Sequence, residues 1–199
     1  LTRVARTQAR RPSGTQREAT EALVEPRDAR PGGSFLAYPT DRAAYGRLCR
    51  LLTLGRRRAP KGECFIDLED LRVHADGLIL VAIPPPTLDA AFMMSLIDLE
   101  RQWQGRLYLG AHHHLGGDDD ARLDQLAATA AQTGVPLVAL NDVHFHTRSR
   151  KPLLDVLTCV RHGCTIDTAG TRLFPNAERC LKTSQEMALL FANPPDALA

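Results

Sequence analysis

Unbroken apolar runs alternate along most of the chain with apolar residues repeating every three to four positions. The runs at 35–38, 77–83, 106–111 and 137–140 read as strands, because continuous aliphatic stretches suit strands covered on both faces. Helical spacing follows each of them. Tyr45, Leu48, Leu51 and Leu52 share one face, and Ala90, Ala91, Met94, Ile97 and Arg101 share another, with Met93 and Met94 expected as core filler. Leu123, Leu126, Ala127 and Ala130 line a third, and Leu153, Leu154, Leu157 and Val160 a fourth. Short oxygen side chains stand where helices should begin: Thr40 or Asp41, Asp67 before a short helix at 66–71, Thr87 before a helix to about Trp103, and Asp118. Thr183-Ser184-Gln185-Glu186 reads as a capping box opening a helix to Phe191. Gly55, Gly134 and Gly163 read as helix ends. Strand and helix in turn predict an α/β domain with a mostly parallel sheet, open or barrel-like.

Composition changes this picture at the start of the chain. Residues 1–34 carry seven arginines with Pro12, Pro26 and Pro31 and few large apolar residues. Such a segment buries too little surface to offset its ordering entropy, so it is expected to be a poorly ordered basic tail, and 35–199 the folded domain. The net charge of +2 does not by itself argue for nucleic acid. No apolar run approaches the roughly 20 residues of a membrane helix, and the arginine-rich start does not read as a signal peptide. Five cysteines without a Cys-x-x-Cys pair fit a reducing cytoplasm better than a disulfide framework.

The candidate chemistry lies in the stretch from Val138 to Thr147, where an apolar strand ends in Asn141, Asp142, His144 and His146. Polar residues just past a strand's C-terminal end sit where α/β folds place their sites. Asp142 and His144 are two apart, so extended backbone would put both side chains on one face, able to grip a divalent metal or simply to bond each other. The strand before His112-His113-His114 is the preceding one in the alternation. Its end could bring His114 to the same edge, giving a His/Asp/His set that lowers the pKa of a bound water. His112 and His113 read as structural, and Asp118-Asp119-Asp120 as a helix start rather than a metal cluster. The basic loop of Arg56, Arg57, Arg58 and Lys61 offers weak nucleic-acid contact or a solvated turn. No nucleophile elbow and no glycine-rich phosphate loop is found.

A wider resemblance joins these pieces. The runs YGRLCRLLT at 45–53, RAPKGE at 58–63, NDVHFHT at 141–147, DVLTCVRHG at 155–163 and PNAER at 175–179 resemble, in order and spacing, the PHP (polymerase and histidinol phosphatase) domain of bacterial C-family DNA polymerases. The error-prone, damage-inducible branch, similar to the replicative polymerase III alpha subunit, is the nearest. The resemblance implies a (β/α)7 barrel, incomplete here at its N-terminus, with metal ligands at the strand ends. His114 matches the third metal-binding motif and Asp142 and His144 the fourth. Zn or Mn would serve that site and Mg the parent polymerase. The family's opening His-x-His and its Thr-Asp and Gly-x-Glu ligand segments are not found, so the metal site is expected to be incomplete.

By the same resemblance the chain is part of a cytoplasmic polymerase that extends primers across damaged template. It carries the PHP scaffold without the palm. Its implied partners are DNA through the parent polymerase, the rest of the polymerase core, a sliding clamp and mutagenesis accessory proteins, with no membrane. The competing expectations are a stand-alone metal-dependent PHP phosphoesterase and a non-catalytic scaffold module.

Overall fold

The computed structural model describes residues 2–4 and 34–192. Of the tail expected at 1–34, only Thr2–Val4 and Ser34 fall among them, and the rest lies outside the described residues. The chain divides into two compact units. One takes in the chain up to Leu109 together with Thr133–Val135, and the other takes Gly110–Gln132 and the chain from Pro136 on.

In the first unit, strands β1 (Thr2–Val4), β2 (Ser34–Pro39), β3 (Leu78–Ile83) and the start of β4 (Leu107–His112) stand side by side in that order. β2 runs antiparallel to both β1 and β3, with Leu36 opposite Val81, and β3 and β4 are parallel, with Val81 opposite Tyr108. The expectation of a mostly parallel sheet is therefore corrected. Two helices, α1 (Arg42–Arg57) and α2 (Leu68–His74), separate β2 from β3. A single crossover helix would return the chain for parallel pairing, and the second reverses it again. The sheet is mixed and unclosed, so the expected (β/α)7 barrel does not appear among the described residues. Phe35, Leu51, Leu78, Leu80, Leu107 and Leu109 are buried, and at about 1.5–3 kcal/mol per side chain they carry much of this unit's stability.

Local signals set the helix starts. Asp41 caps α1 by accepting from the Ala44 amide, and Asp67 caps α2 in a reciprocal box with Asp70. Three expectations are corrected here. Gly55 does not end α1, which continues to Arg57. Helix α3 (Ala90–Gln102) starts from Asp89, whose carboxylate accepts from the Phe92 amide, and not from Thr87. Its buried face is Leu96 and Leu99, with Trp103 beyond its end. Met94 lies on the outer side, 59% exposed, because the helix turns the face of Leu96 and Leu99 to the core and not the one that carries Met94.

The second unit contains the end of β4, with β5 (Leu137–Leu140) as its neighbour, most of α4 (Asp119–Thr133), and α5 (Lys151–His162), α6 (Ile166–Ala169) and α7 (Ser184–Leu190). Gly163 closes α5 in the left-handed conformation at φ 62°, and the Thr183/Glu186 capping box opens α7 as expected. The five cysteines are free thiols. No helix of the described residues is long and apolar enough to cross a membrane.

Candidate functional site

All the predicted ligand positions fall in the second unit. There the segment 176–182 lies against 141–145 in parallel. Phe145 bridges Cys180, the amides of His144 and Phe145 donate to the Arg179 carbonyl at 2.8 and 3.3 Å, and the Leu181 amide donates to the Phe145 carbonyl. Asn141 Nδ2 donates to the Cys180 carbonyl at 2.5 Å, and Asn176 Nδ2 donates to the His114 carbonyl at 2.6 Å. Segment 176–182 is thus the staple that joins the end of β5 to the end of β4.

Asp142 does not sit in extended backbone. Its φ is 41°, in the left-handed region that short polar side chains tolerate better than most. Extended alternation therefore breaks at that residue, yet the pair still forms, with His144 Nε2 3.6 Å from Asp142 Oδ1. The other carboxylate oxygen, Oδ2, accepts from Arg179 Nη1. The Arg179 guanidinium also lies 4.2 Å over the centre of the Phe174 ring, and His144 meets the same ring edge-on with centroids 4.8 Å apart. Sequence reading missed Arg179 and Phe174 as site residues. The polar run from Asn176 to Arg179 was the available signal, but His114 and Asp142, the partners of its two ends, lie 62 and 37 positions earlier.

His114 is the most deeply placed of the predicted ligands. It stacks on His112 at 5.5 Å, and its Nε2 is buried without a hydrogen-bond partner. Burial pushes its pKa down to about 4, aided by the positive charges of Arg179 and His112 and opposed by Asp119 and a hydrogen bond with the Asn141 main chain. An unfolded histidine titrates near 6.5. As pH falls from about 6.5 to about 4, the unfolded chain takes up a proton that the folded chain refuses. The stability is therefore fully present above that window and declines through it. With the ring only partly withdrawn from water, the loss should be roughly 1–2 kcal/mol. Urea midpoints read from amide signals of the second unit at about pH 7 and about pH 5 should differ accordingly in the wild-type chain, and the difference should shrink in His114→Asn. An equal difference in both would place the effect elsewhere.

His113 is engaged by its neighbours. Its Nδ1 and Nε2 face Asp119 and Asp120 at 3.3 and 3.5 Å, and its ring meets Phe191 edge-on. Asp119 Oδ2 accepts from the amides of His114 and Gly116, both at 2.8 Å, so this acidic residue holds the loop that carries His114. His146 is exposed. In the first unit, Arg56, Arg57 and Lys61 are exposed, whereas Arg58 Nη1 is committed to Asp70 Oδ2 at 2.5 Å.

The donor set can be tested against a divalent ion. The unpartnered Nε2 of His114 would suit one, since a histidine tied to a main-chain group through its other nitrogen presents a lone pair. The carboxylate does not, because Asp142 already serves Arg179. No three His, Cys, Asp or Glu side chains among the described residues are grouped as a metal ion requires. In this arrangement the residues do not fit a divalent metal.

No family model matches the chain. Curated relatives do. The chain is 48% identical over 164 residues to the error-prone DNA polymerase of Ruegeria pomeroyi, and 44% identical over 165 residues to that of Caulobacter vibrioides. It is 43% identical over 166 residues to error-prone DNA polymerase 1 of Agrobacterium fabrum. These alignments cover 82–83% of the chain and 15% of each relative.

Proposed function

We propose that this chain, homologous to a 15% segment of the error-prone DNA polymerases, is the PHP-type module of such a polymerase and serves translesion synthesis as a scaffold. The single observation that carries the reading is the identity of 43–48%, sustained over more than four-fifths of the chain. The PHP reading comes from the runs at 45–53, 58–63, 141–147, 155–163 and 175–179, and the barrel it implies belongs to this proposal. So do DNA as the template, the rest of the polymerase core, a sliding clamp and mutagenesis accessory proteins as partners, and the cytoplasm as the location. The exposed Arg56, Arg57 and Lys61 suit weak phosphate contact, which positions nucleic acid without reading sequence. Any divalent metal at His114, Asp142 and His144 is weakly held, because a carboxylate already neutralised by a guanidinium attracts a second cation poorly.

Two assays test the reading. A chimera in which this chain replaces the matching segment of a relative should retain primer extension past a template lesion. A folded chimera without extension would overturn the proposal. The isolated chain should extend no primer, since phosphoryl transfer to a primer needs carboxylate-held magnesium ions aligned on the triphosphate, and among the described residues no three His, Cys, Asp or Glu side chains are grouped to hold a metal ion. Magnesium-dependent extension by the chain alone would contradict the scaffold role, and hydrolysis of a phosphomonoester would favour a phosphoesterase.

A further inference from the structure

The guanidinium of Arg179 is held from two directions. It donates to Asp142 Oδ2, and it lies on the Phe174 ring, against which His144 also packs. His144 in turn faces the remaining oxygen of Asp142 at 3.6 Å. The backbone fixes the same arrangement, because the Arg179 carbonyl accepts from the His144 amide at 2.8 Å. Arg179 is 23% exposed at its side chain, so the charge is largely withdrawn from water. Two of the three residues that the family resemblance assigns to a metal are thus arranged around a positive charge carried by the chain itself. A carboxylate beside a desolvated cation, completed by an aromatic face, is a satisfied ion pair and needs no further counter-ion.

We propose that Arg179 is the resident cation of this site, taking the place of a divalent metal at Asp142 and keeping the site metal-free. The proposal rests on the PHP reading for the identity of the three ligand positions. Its physical content is competition. A divalent ion at Asp142 would have to displace the guanidinium, losing the ion pair and the stacking on Phe174. Removing the charge leaves Asp142 uncompensated beside His144, and a free carboxylate next to an imidazole is a better pair of donors for zinc. Keeping the charge on a different side chain preserves the exclusion.

The experiment is zinc titration of the whole chain by competition with a chromophoric chelator. Arg179→Gln should bind Zn²⁺ at least about tenfold more tightly than wild type. Arg179→Lys should stay within about twofold of wild type, and Asp142→Asn in the Arg179→Gln background should abolish the gain. Equal affinity in wild type and Arg179→Gln, or a gain in Arg179→Lys as well, would overturn the proposal. Tight, Asp142-dependent zinc binding by the wild-type chain would also overturn it while leaving the PHP metal-site reading intact. Failure of the lesion-bypass chimera would instead count against that reading alone. Should Arg179→Gln not fold, the wild-type chain decides. The side-chain NMR signal of Arg179 should stay unmoved on adding equimolar Zn²⁺, and its displacement would refute the resident-cation role.

Discussion

Glu178→Gln should destabilise the second unit by about 3–5 kcal/mol, the cost of breaking a buried ion pair from one side. The Glu178 carboxylate takes both Arg148 Nε at 3.1 Å and Arg148 Nη2 at 3.2 Å, and it faces Lys182 Nζ at 3.5 Å. Arg148 is 54% exposed at its side chain, but Lys182 is 1% exposed. Lys182 also donates to Asn141 Oδ1 at 3.0 Å and to the Glu178 carbonyl. The amide substitution keeps the shape and leaves that buried ammonium facing only neutral acceptors. The cost falls on segment 176–182, the one that holds Arg179 against Asp142.

Two companions separate the causes. Arg148→Ala should cost no more than about 1 kcal/mol, since that guanidinium is half in water. Lys182→Met keeps the apolar stem and removes the buried charge, so it should cost less than Glu178→Gln. Hydrogen exchange of the amides in 176–182 and 141–145 is the readout, because the chain has two units and one global midpoint need not report either. A Glu178→Gln loss under about 1 kcal/mol would mean that Lys182 is not held by this carboxylate. The acid limb adds a second check. The hydrogen bond from Arg148, and then its charge and that of Lys182, hold the Glu178 carboxyl below its ordinary range despite burial. The stability from Glu178 is therefore present above about pH 4.3, the ordinary glutamate value, and lost as pH falls through the depressed folded value. That window lies below the one assigned to His114, so acid titration should show the two losses in sequence.

What the sequence made legible was local. Asp41, Asp67 and Thr183 satisfy first-turn amides three residues on, and Gly163 adopts the left-handed turn that ends α5. Each of those decisions is made within a few residues, so spacing alone could reveal it. Periodicity on α5 correctly grouped Leu153, Leu157 and Val160, but these side chains are 52, 56 and 74% exposed. A repeat says which residues share a face and not whether that face is covered. Direction in the sheet was not legible either, because the antiparallel pairing of β2 with β3 follows from two intervening helices and not from either strand's composition. At the site, His114, Asp142 and His144 could be found as strand-end polar residues. Arg179 could not, since its bond to Asp142 spans 37 positions and depends on the staple running parallel to the end of β5. The polar partner of a polar residue is a tertiary fact unless a short repeat carries it.

Gly55 shows the same limit from the side of packing, and it carries the second large effect. A glycine within a helix should be improved by alanine, by up to about 1 kcal/mol. At Gly46 in α1 that expectation holds, because a Cβ there meets nothing within 4 Å. At Gly55, one helix face further on, a Cβ would stand 2.5 Å from Ile66 Cγ1, 2.7 Å from Cys64 Sγ and 2.8 Å from the Phe65 carbonyl oxygen. The chain returns here directly over the helix, and the Phe65 amide donates to the Gly55 carbonyl at 2.9 Å. The Ile66 and Cys64 side chains can shift a little, but the carbonyl oxygen is main chain and can move only with its loop. Gly46→Ala should therefore stabilise the first unit, and Gly55→Ala should destabilise it by about 1–2 kcal/mol, overpacking outweighing propensity. Gly55→Val, with two more methyl groups against the same oxygen, should cost about 3 kcal/mol or more and loosen the return of the loop onto α1. Trp103 is the chain's one tryptophan and lies buried in this unit, so its fluorescence reports the unfolding of this unit specifically. If Gly55→Ala raised the urea midpoint as Gly46→Ala does, the close passage of 64–66 over α1 would be wrong, and Gly55 would be an ordinary helix glycine.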